Sequence, residues 1–95
     1  MKIKTKSGFV IDINEKRASD WRFTQALAKW EKNDSLIQGV YDALCFLLGS
    51  DGEEALMKHV AEEDGTVPSE RMISEFKEIM QLMGEKIKKS KHSQD

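Results

Sequence analysis

The first thirteen residues alternate between polar and apolar positions, which is the pattern of a β-hairpin. Residues 2–6 alternate lysine with isoleucine and threonine, and the residues of 9–13 that share one strand face are apolar: Phe9, Ile11 and Ile13. Ser7-Gly8 lies between the two runs and predicts a two-residue turn. Because an isolated hairpin is only marginally stable in water, we expect residues 1–13 to pack on helices.

Helical periodicity replaces alternation after residues 14–19, a polar segment that predicts a turn or a single helical turn. A helix is expected over 20–31, with Ser19 or Asp20 as its cap and with four apolar residues on one side: Phe23, Ala26, Leu27 and Trp30. A second helix is expected over 35–48. Its apolar face is wide enough to form the centre of a core, and comprises Leu36, Ile37, Val40, Tyr41, Leu44, Cys45, Leu47 and Leu48.

Glycines and one proline divide the remaining residues into two more helices. Gly49 suits the position that ends a helix, since glycine tolerates a left-handed backbone. The helix after it should run to Glu63 and stop at Gly65, with Ala55, Leu56, Met57 and Val60 facing inward. Pro68 suits the first turn of a final helix that runs to about Lys89. The apolar stripe of this helix comprises Met72, Phe76, Ile79, Met83 and Ile87, with Ile73, Met80 and Leu82 alongside.

These elements predict a mainly α protein of the α+β kind, in which a short N-terminal β-hairpin precedes about four helices packed as a small bundle. A chain of 95 residues forms one domain, which here comprises the hairpin at 1–13, a helical part at 20–89 and a frayed tail at 90–95. Apolar residues make up 39% and charged residues 34% of the chain, so the core should be small. A bound partner or a second copy would help to complete such a core.

Charge is distributed unevenly around a formal net value of −2. Residues 50–65 contain six carboxylates and one lysine, whereas the C-terminal residues 84–95 are basic. Cys45 is the only cysteine, so no internal disulfide can form, and its place on an apolar face predicts a small buried hydrophobe. Neither a secretory signal nor a transmembrane run is present, so we expect a cytoplasmic protein.

No catalytic, metal-binding or cofactor-binding constellation emerges from the sequence. His59 and Glu63 lie one helical turn apart, but two ligands do not make a metal site. A calcium loop around Gly65 fails because Val60 and Arg71 stand where oxygen ligands are required. We therefore expect a protein that is not an enzyme, needs no cofactor and acts by contact with a partner.

Five features follow one another along most of the chain: the opening 2–9 with Asp12-Ile13, the pair Asp20-Trp21, the triplet Leu47-Leu48-Gly49, the run 62–68, and the final helix 73–89. In type and order they resemble the tail assembly chaperones of long-tailed phages and prophages of Gram-positive bacteria. The resemblance implies a non-enzymatic, mostly helical protein of the bacterial host cytoplasm. It would bind the tape measure protein of the same phage and keep it soluble while tail-tube subunits polymerise around it. It also implies self-association.

We assign contact with this client, or with a second copy, to four apolar residues of the hairpin and the last helix: Phe9, Ile11, Met80 and Met83. Methionine adapts to varied partners, although it also fills gaps in cores, so a core role for the two methionines stays open. The alternative function is that of a small regulatory or adaptor protein, which binds another protein or binds nucleic acid through its basic C-terminal tail.

Overall fold

The computed structural model describes residues 1–32 and 37–92, with side chains as far as Lys86. Its elements in chain order are β1 (Lys2–Lys4), β2 (Val10–Asp12), α1 (Glu15–Ala18), α2 (Trp21–Lys32), α3 (Ile37–Val60) and α4 (Ser69–His92). An antiparallel two-stranded hairpin followed by helices confirms the predicted mainly α fold.

The hairpin has the predicted inner face but a longer turn. Ile3 lies opposite Ile11, and the Thr5 amide donates to the Phe9 carbonyl at 2.9 Å, which leaves a loop of residues 6–8 between the strands. The predicted two-residue turn is therefore wrong. Three-residue loops need a residue with positive φ, and Gly8 supplies it with a φ of 97°. Four of the five inner-face residues are buried and Ile11 is half-buried: Ile3, Thr5, Phe9, Ile11 and Ile13.

Side-chain caps begin the first two helices. The Lys16 amide donates to Oδ1 of Asn14 at 2.9 Å, and the Arg22 amide donates to Oδ1 of Asp20 at 2.8 Å. These bonds satisfy amides that have no partner inside a helix. They confirm the predicted short turn before residue 20 and the predicted start of the helix that follows it.

A break at Gly49 divides α3 into two halves, residues 37–48 and 50–60. Gly49 has φ 74° and ψ 172°, which confirms that a glycine ends the first half. The second half ends at Val60 and not at Glu63 as predicted. The Glu62 amide instead donates to the Thr66 carbonyl at 2.8 Å, which closes a turn over 62–66 and diverts the chain before Glu63 can extend the helix.

The core lies between the hairpin, the two halves of α3, α2 and α4. Trp30 of α2 stacks on Phe76 of α4 with ring centroids 5.9 Å apart. The largest side chains with almost no exposure come from the hairpin, both halves of α3 and α4: Phe76, Ile3, Ile13, Leu47, Leu56, Ile79 and Val60. A single cluster of buried side chains therefore joins the hairpin to the helices in the described part of the chain.

Several side chains expected in the core are exposed. Ile37 and Tyr41 of the first half of α3 expose 62% and 52% of their surface, and Met57 of the second half exposes 39%. Ala55 is exposed as well. The apolar face of α3 is wider than the area that α2 and α4 cover, so its outer residues remain in contact with water.

The ends of the predicted helical part differ slightly from the structure. The backbone of α4 runs to His92, so residues 90–92, which were expected to fray, are helical. Leu36, the tail residues 93–95 and the side chain of Ile87 lie outside the described residues. The same holds for the side chains of the basic tail that the alternative function requires: Lys88, Lys89 and Lys91.

Candidate docking groove

An open apolar groove of about 300 Å³ lies where the two halves of α3 meet the start of α4. Both halves of α3 line it, together with the connection before α4 and the first turns of α4. Glu53 is the charged residue of this lining, and the principal apolar residues are Ile37, Tyr41, Leu44, Met57, Val67, Met72 and Ile73. We call this feature the α3–α4 groove.

The break at Gly49 brings the two halves of α3 to the same groove. In an uninterrupted helix, Tyr41 and Glu53 would lie about 18 Å apart along the axis, because each residue adds about 1.5 Å. The positive φ of Gly49 ends the straight path between them, and both side chains line one groove. Glycine is suited to this backbone conformation because a Cβ atom disfavours positive φ.

Exposed apolar side chains are concentrated in the α3–α4 groove. Five large hydrophobic residues of the described chain are exposed, and three of them, Ile37, Tyr41 and Met57, line this groove. The other two, Val10 and Trp21, lie on β2 and α2. A cluster of apolar side chains open to water is typical of a binding surface for another protein.

Glu53 gives the lining of the groove one negative charge. The pKa of Tyr41 is raised first by its hydrogen bond with Cys45, and then by the charges of Cys45, Glu53 and Asp42. Burial is the main cause that raises the pKa of the Cys45 thiol, and the Glu53 and Asp42 carboxylates add to it. The thiol therefore stays protonated at neutral pH, which does not favour a role as a nucleophile.

The four residues assigned to partner contact from the sequence lie elsewhere. Phe9 and Met83 expose only 5% and 6% of their surface and belong to the core of the isolated chain. Ile11 and Met80 are half-buried. The Ile11 side chain packs beside Gly52, whereas Met80 lines a separate depression between α2 and α4. None of the four lines the α3–α4 groove, and their contact with a partner stays a prediction.

The residues that do line the groove were not assigned to partner contact from the sequence. Ile37, Tyr41 and Met57 were assigned to the core because they follow the helical period of buried neighbours. The sequence feature that could have indicated the groove is the width of the apolar face on residues 36–48. This face is wider than the arc that one packed helix covers, so part of it must remain open.

Four polar side chains, those of Thr5, Ser7, His59 and Glu75, connect the hairpin loop to the helices by hydrogen bonds. The hydroxyls of Thr5 and Ser7 each donate to Oε1 of Glu75 at 2.9 Å, and the Ser7 oxygen lies 2.9 Å from Nε2 of His59. In a Ser-His-acid triad the carboxylate orients the imidazole. Here the Glu75 carboxylate contacts the two hydroxyls and not the imidazole of His59, so these side chains do not form a catalytic triad. The cluster instead joins the end of β1 and the hairpin loop to α3 and α4.

Within the described part of the chain, no group of three or more His, Cys, Asp or Glu side chains is arranged to hold a metal ion. None of the described helices combines the length and apolar character that crossing a membrane requires.

Comparison with known proteins gives no relative for this chain. No protein-family model matches it, and neither a curated protein nor a solved structure matches it significantly.

Proposed function

We propose that this protein is a tail assembly chaperone of a long-tailed phage or prophage. It binds the tape measure protein and keeps it soluble in the host cytoplasm while the tail tube assembles around it. It acts by contact and not by catalysis. The family is suggested by the sequence resemblance, and the observation that carries the binding role is the exposed α3–α4 groove.

The groove suits a helical client. An amphipathic helix can place its apolar side in a groove lined by apolar side chains, with anchors spaced along one helix face. Ile37, Tyr41 and Met57 lose their contact with water when such a helix binds. The client's own apolar side chains are covered at the same time, and this would keep a long helical protein from aggregating before assembly.

Methionine side chains suit a chaperone that meets several client segments. Met57 and Met72 both line the groove. The thioether side chain is flexible and polarisable, so it can pack against apolar residues of different shapes. A groove of this kind binds segments that share a pattern of apolar residues and not one fixed sequence.

The proposal is tested by co-expression with the tape measure protein of the same phage or prophage, which we expect to be encoded just after this chain. The wild-type chain should co-purify with that protein and keep it in the soluble fraction. Met57→Asp should abolish both effects because it places a charge among the groove's apolar side chains. Trp21→Ala is the matched control, because Trp21 is 70% exposed and lies outside the groove.

Circular dichroism shows whether each variant keeps its helices. A folded Met57→Asp chain that still holds the tape measure protein in solution would contradict the role of the groove. Precipitation of the tape measure protein beside the wild-type chain would contradict the chaperone function. Capture of a different protein through the same groove would favour the adaptor function.

A further inference from the structure

We infer that the α3–α4 groove binds an amphipathic helix that carries a lysine or arginine at the edge of its apolar face, and that Glu53 pairs with this cation. The inference rests on the proposed function, since it specifies the chemistry of the client segment.

Glu53 is placed differently from the neighbouring carboxylate. Glu54 is exposed and lies 3.7 Å from the Lys58 ammonium of its own helix. Glu53 is half-buried in the lining of the groove. Within the described part of the chain, no lysine, arginine or histidine forms an ion pair with it. A partly desolvated carboxylate beside apolar side chains is stabilised by a cation from a partner.

The surrounding charges act in the same direction. Asp42 follows Tyr41 in α3 and lies outside the lining of the groove, but its carboxylate and that of Glu53 both raise the pKa of the Tyr41 hydroxyl, after the leading effect of Cys45. Residues 50–65, which include the second half of α3, contain six carboxylates and one lysine. A negative groove favours a basic helix and repels an acidic one, so charge selects among helices of equal apolar character.

Charge also disfavours a second copy in the groove. A two-fold dimer places the same patch of both subunits in contact. Two α3–α4 grooves face to face would bring the two copies of Glu53 close together, and the lining of the groove contains no lysine or arginine to compensate them. A separate basic helix offers complementary charge and complementary shape.

Two synthetic peptides of about 18 residues, which form five helical turns, test the inference on the full chain. Both have leucine at the same amphipathic positions, and the flanking positions are lysine in one peptide and glutamate in the other. We expect the lysine peptide to bind and the glutamate peptide to bind at least about tenfold more weakly. The difference should shrink as salt is added, since salt screens partly exposed charges.

Substituting the adjacent carboxylates Glu53 and Glu54 one at a time distinguishes a specific contact in the groove from general attraction of a basic peptide to an acidic protein. Glu53→Gln should weaken the lysine peptide about threefold to fivefold, and Glu53→Lys should reverse the preference between the peptides. Glu54→Gln removes the same charge one residue away and outside the groove, and it should change the affinity less than twofold. Equal effects of Glu53→Gln and Glu54→Gln, or equal binding of both peptides, would overturn the inference.

The remaining outcomes distinguish this inference from the proposed function. If the tape measure protein binds wild type and Glu53→Gln equally well, the chaperone function stands and the inference fails. If the peptides behave as expected but the tape measure protein does not bind, the groove has the inferred chemistry and serves another client. A dimer of the free chain that Met57→Asp dissociates would assign the groove to a second copy and overturn the inference.

Discussion

Burial separates the methionines of α4 into two kinds. Met83 exposes 6% of its surface and packs in the core, whereas Met80 is half-buried beside Leu27 and Trp30. Both residues fall on the apolar side of α4, so the helical period alone does not distinguish them. The distinction depends on how far α2 extends over α4, which is a property of the packed structure.

Truncation of each methionine should therefore have a different effect on stability. Met83→Ala removes buried contacts and leaves a cavity, and should lower the free energy of unfolding by about 2–4 kcal/mol. Met80→Ala should lower it by less than about 1.5 kcal/mol, because water already reaches that side chain. Urea denaturation monitored by circular dichroism measures both values. Equal losses of unfolding free energy in the two variants would show that α2 covers Met80 as fully as the core covers Met83.

The hydrogen bonds of Glu75 lead to a second prediction at this scale. Glu75 is 7% exposed and accepts hydrogen bonds from the hydroxyls of Thr5 and Ser7. Glu75→Ala should lower the free energy of unfolding by about 1–3 kcal/mol, because it removes the acceptor of the buried Thr5 hydroxyl. Glu78→Ala is the control, since Glu78 accepts an exposed bond from the Lys6 amide at 2.7 Å.

The same denaturation experiment compares the two glutamate variants. Glu78→Ala should lower stability by less than about 1 kcal/mol, because water can replace an exposed bond. A Glu78→Ala loss as large as that of Glu75→Ala would mean that burial does not decide the strength of these hairpin contacts.

Between elements, the backbones of α2 and α3 approach each other closely at Gly39. A Cβ atom at this position would lie 2.9 Å from the Trp30 amide nitrogen and 3.2 Å from the Trp30 Cα. Both atoms belong to the backbone, which cannot move aside as a flexible side chain does. The absence of a side chain at residue 39 therefore sets how closely the two helices pack.

Two glycine substitutions should have effects of opposite sign. Gly39→Ala should lower the free energy of unfolding by about 1–3 kcal/mol, because the added methyl group forces α2 and α3 apart. Gly84→Ala, in α4, meets no atom within 4 Å and should raise it by about 1 kcal/mol through helix propensity. Thermal unfolding of the two variants measures both changes. Stabilisation by Gly39→Ala would contradict the close packing of α2 on α3.

The elements themselves could be predicted because their signals are local. Asp20 at the start of α2 and Gly49 within α3 act through their own backbone neighbours, and both predictions were confirmed. The end of α3 was placed too late because the stop was assigned to Gly65 alone, whereas the turn that Gly65 belongs to begins at Glu62, whose amide donates to the Thr66 carbonyl. The loop length of the hairpin was ambiguous because Gly8 fits turns of either length.

The groove was less predictable than the elements that form it. Helical period assigns Tyr41 and Met57 to apolar faces, but it does not state which part of a wide face is covered. The direction of the second half of α3 depends on the backbone angles of Gly49, and these place Met57 beside Tyr41 and not in the core. A site formed across a helix break requires the packed structure for its description.

The whole molecule exposes more surface than is usual for its mass. A folded monomer of 10.9 kDa typically exposes about 5,600 Å², and this chain exposes 6747 Å². Its extents of 50 × 29 × 19 Å show an elongated shape in place of a sphere. A shape of this kind leaves room for a partner along one side, and the exposed apolar side chains of α3 give that partner a place to bind.

Binding of a client segment should therefore stabilise the whole chain. A segment of the tape measure protein, protected from limited proteolysis in the complex, provides the probe. At about one hundred times its Kd it should add about 2.7 kcal/mol to the free energy of unfolding. For a domain of this size the Tm should rise by roughly 10–20 °C.

Trp21→Ala should show the same rise in a calorimetric scan, since the groove is intact. Met57→Asp should show none, and a rise of equal size in that variant would place the client on another surface.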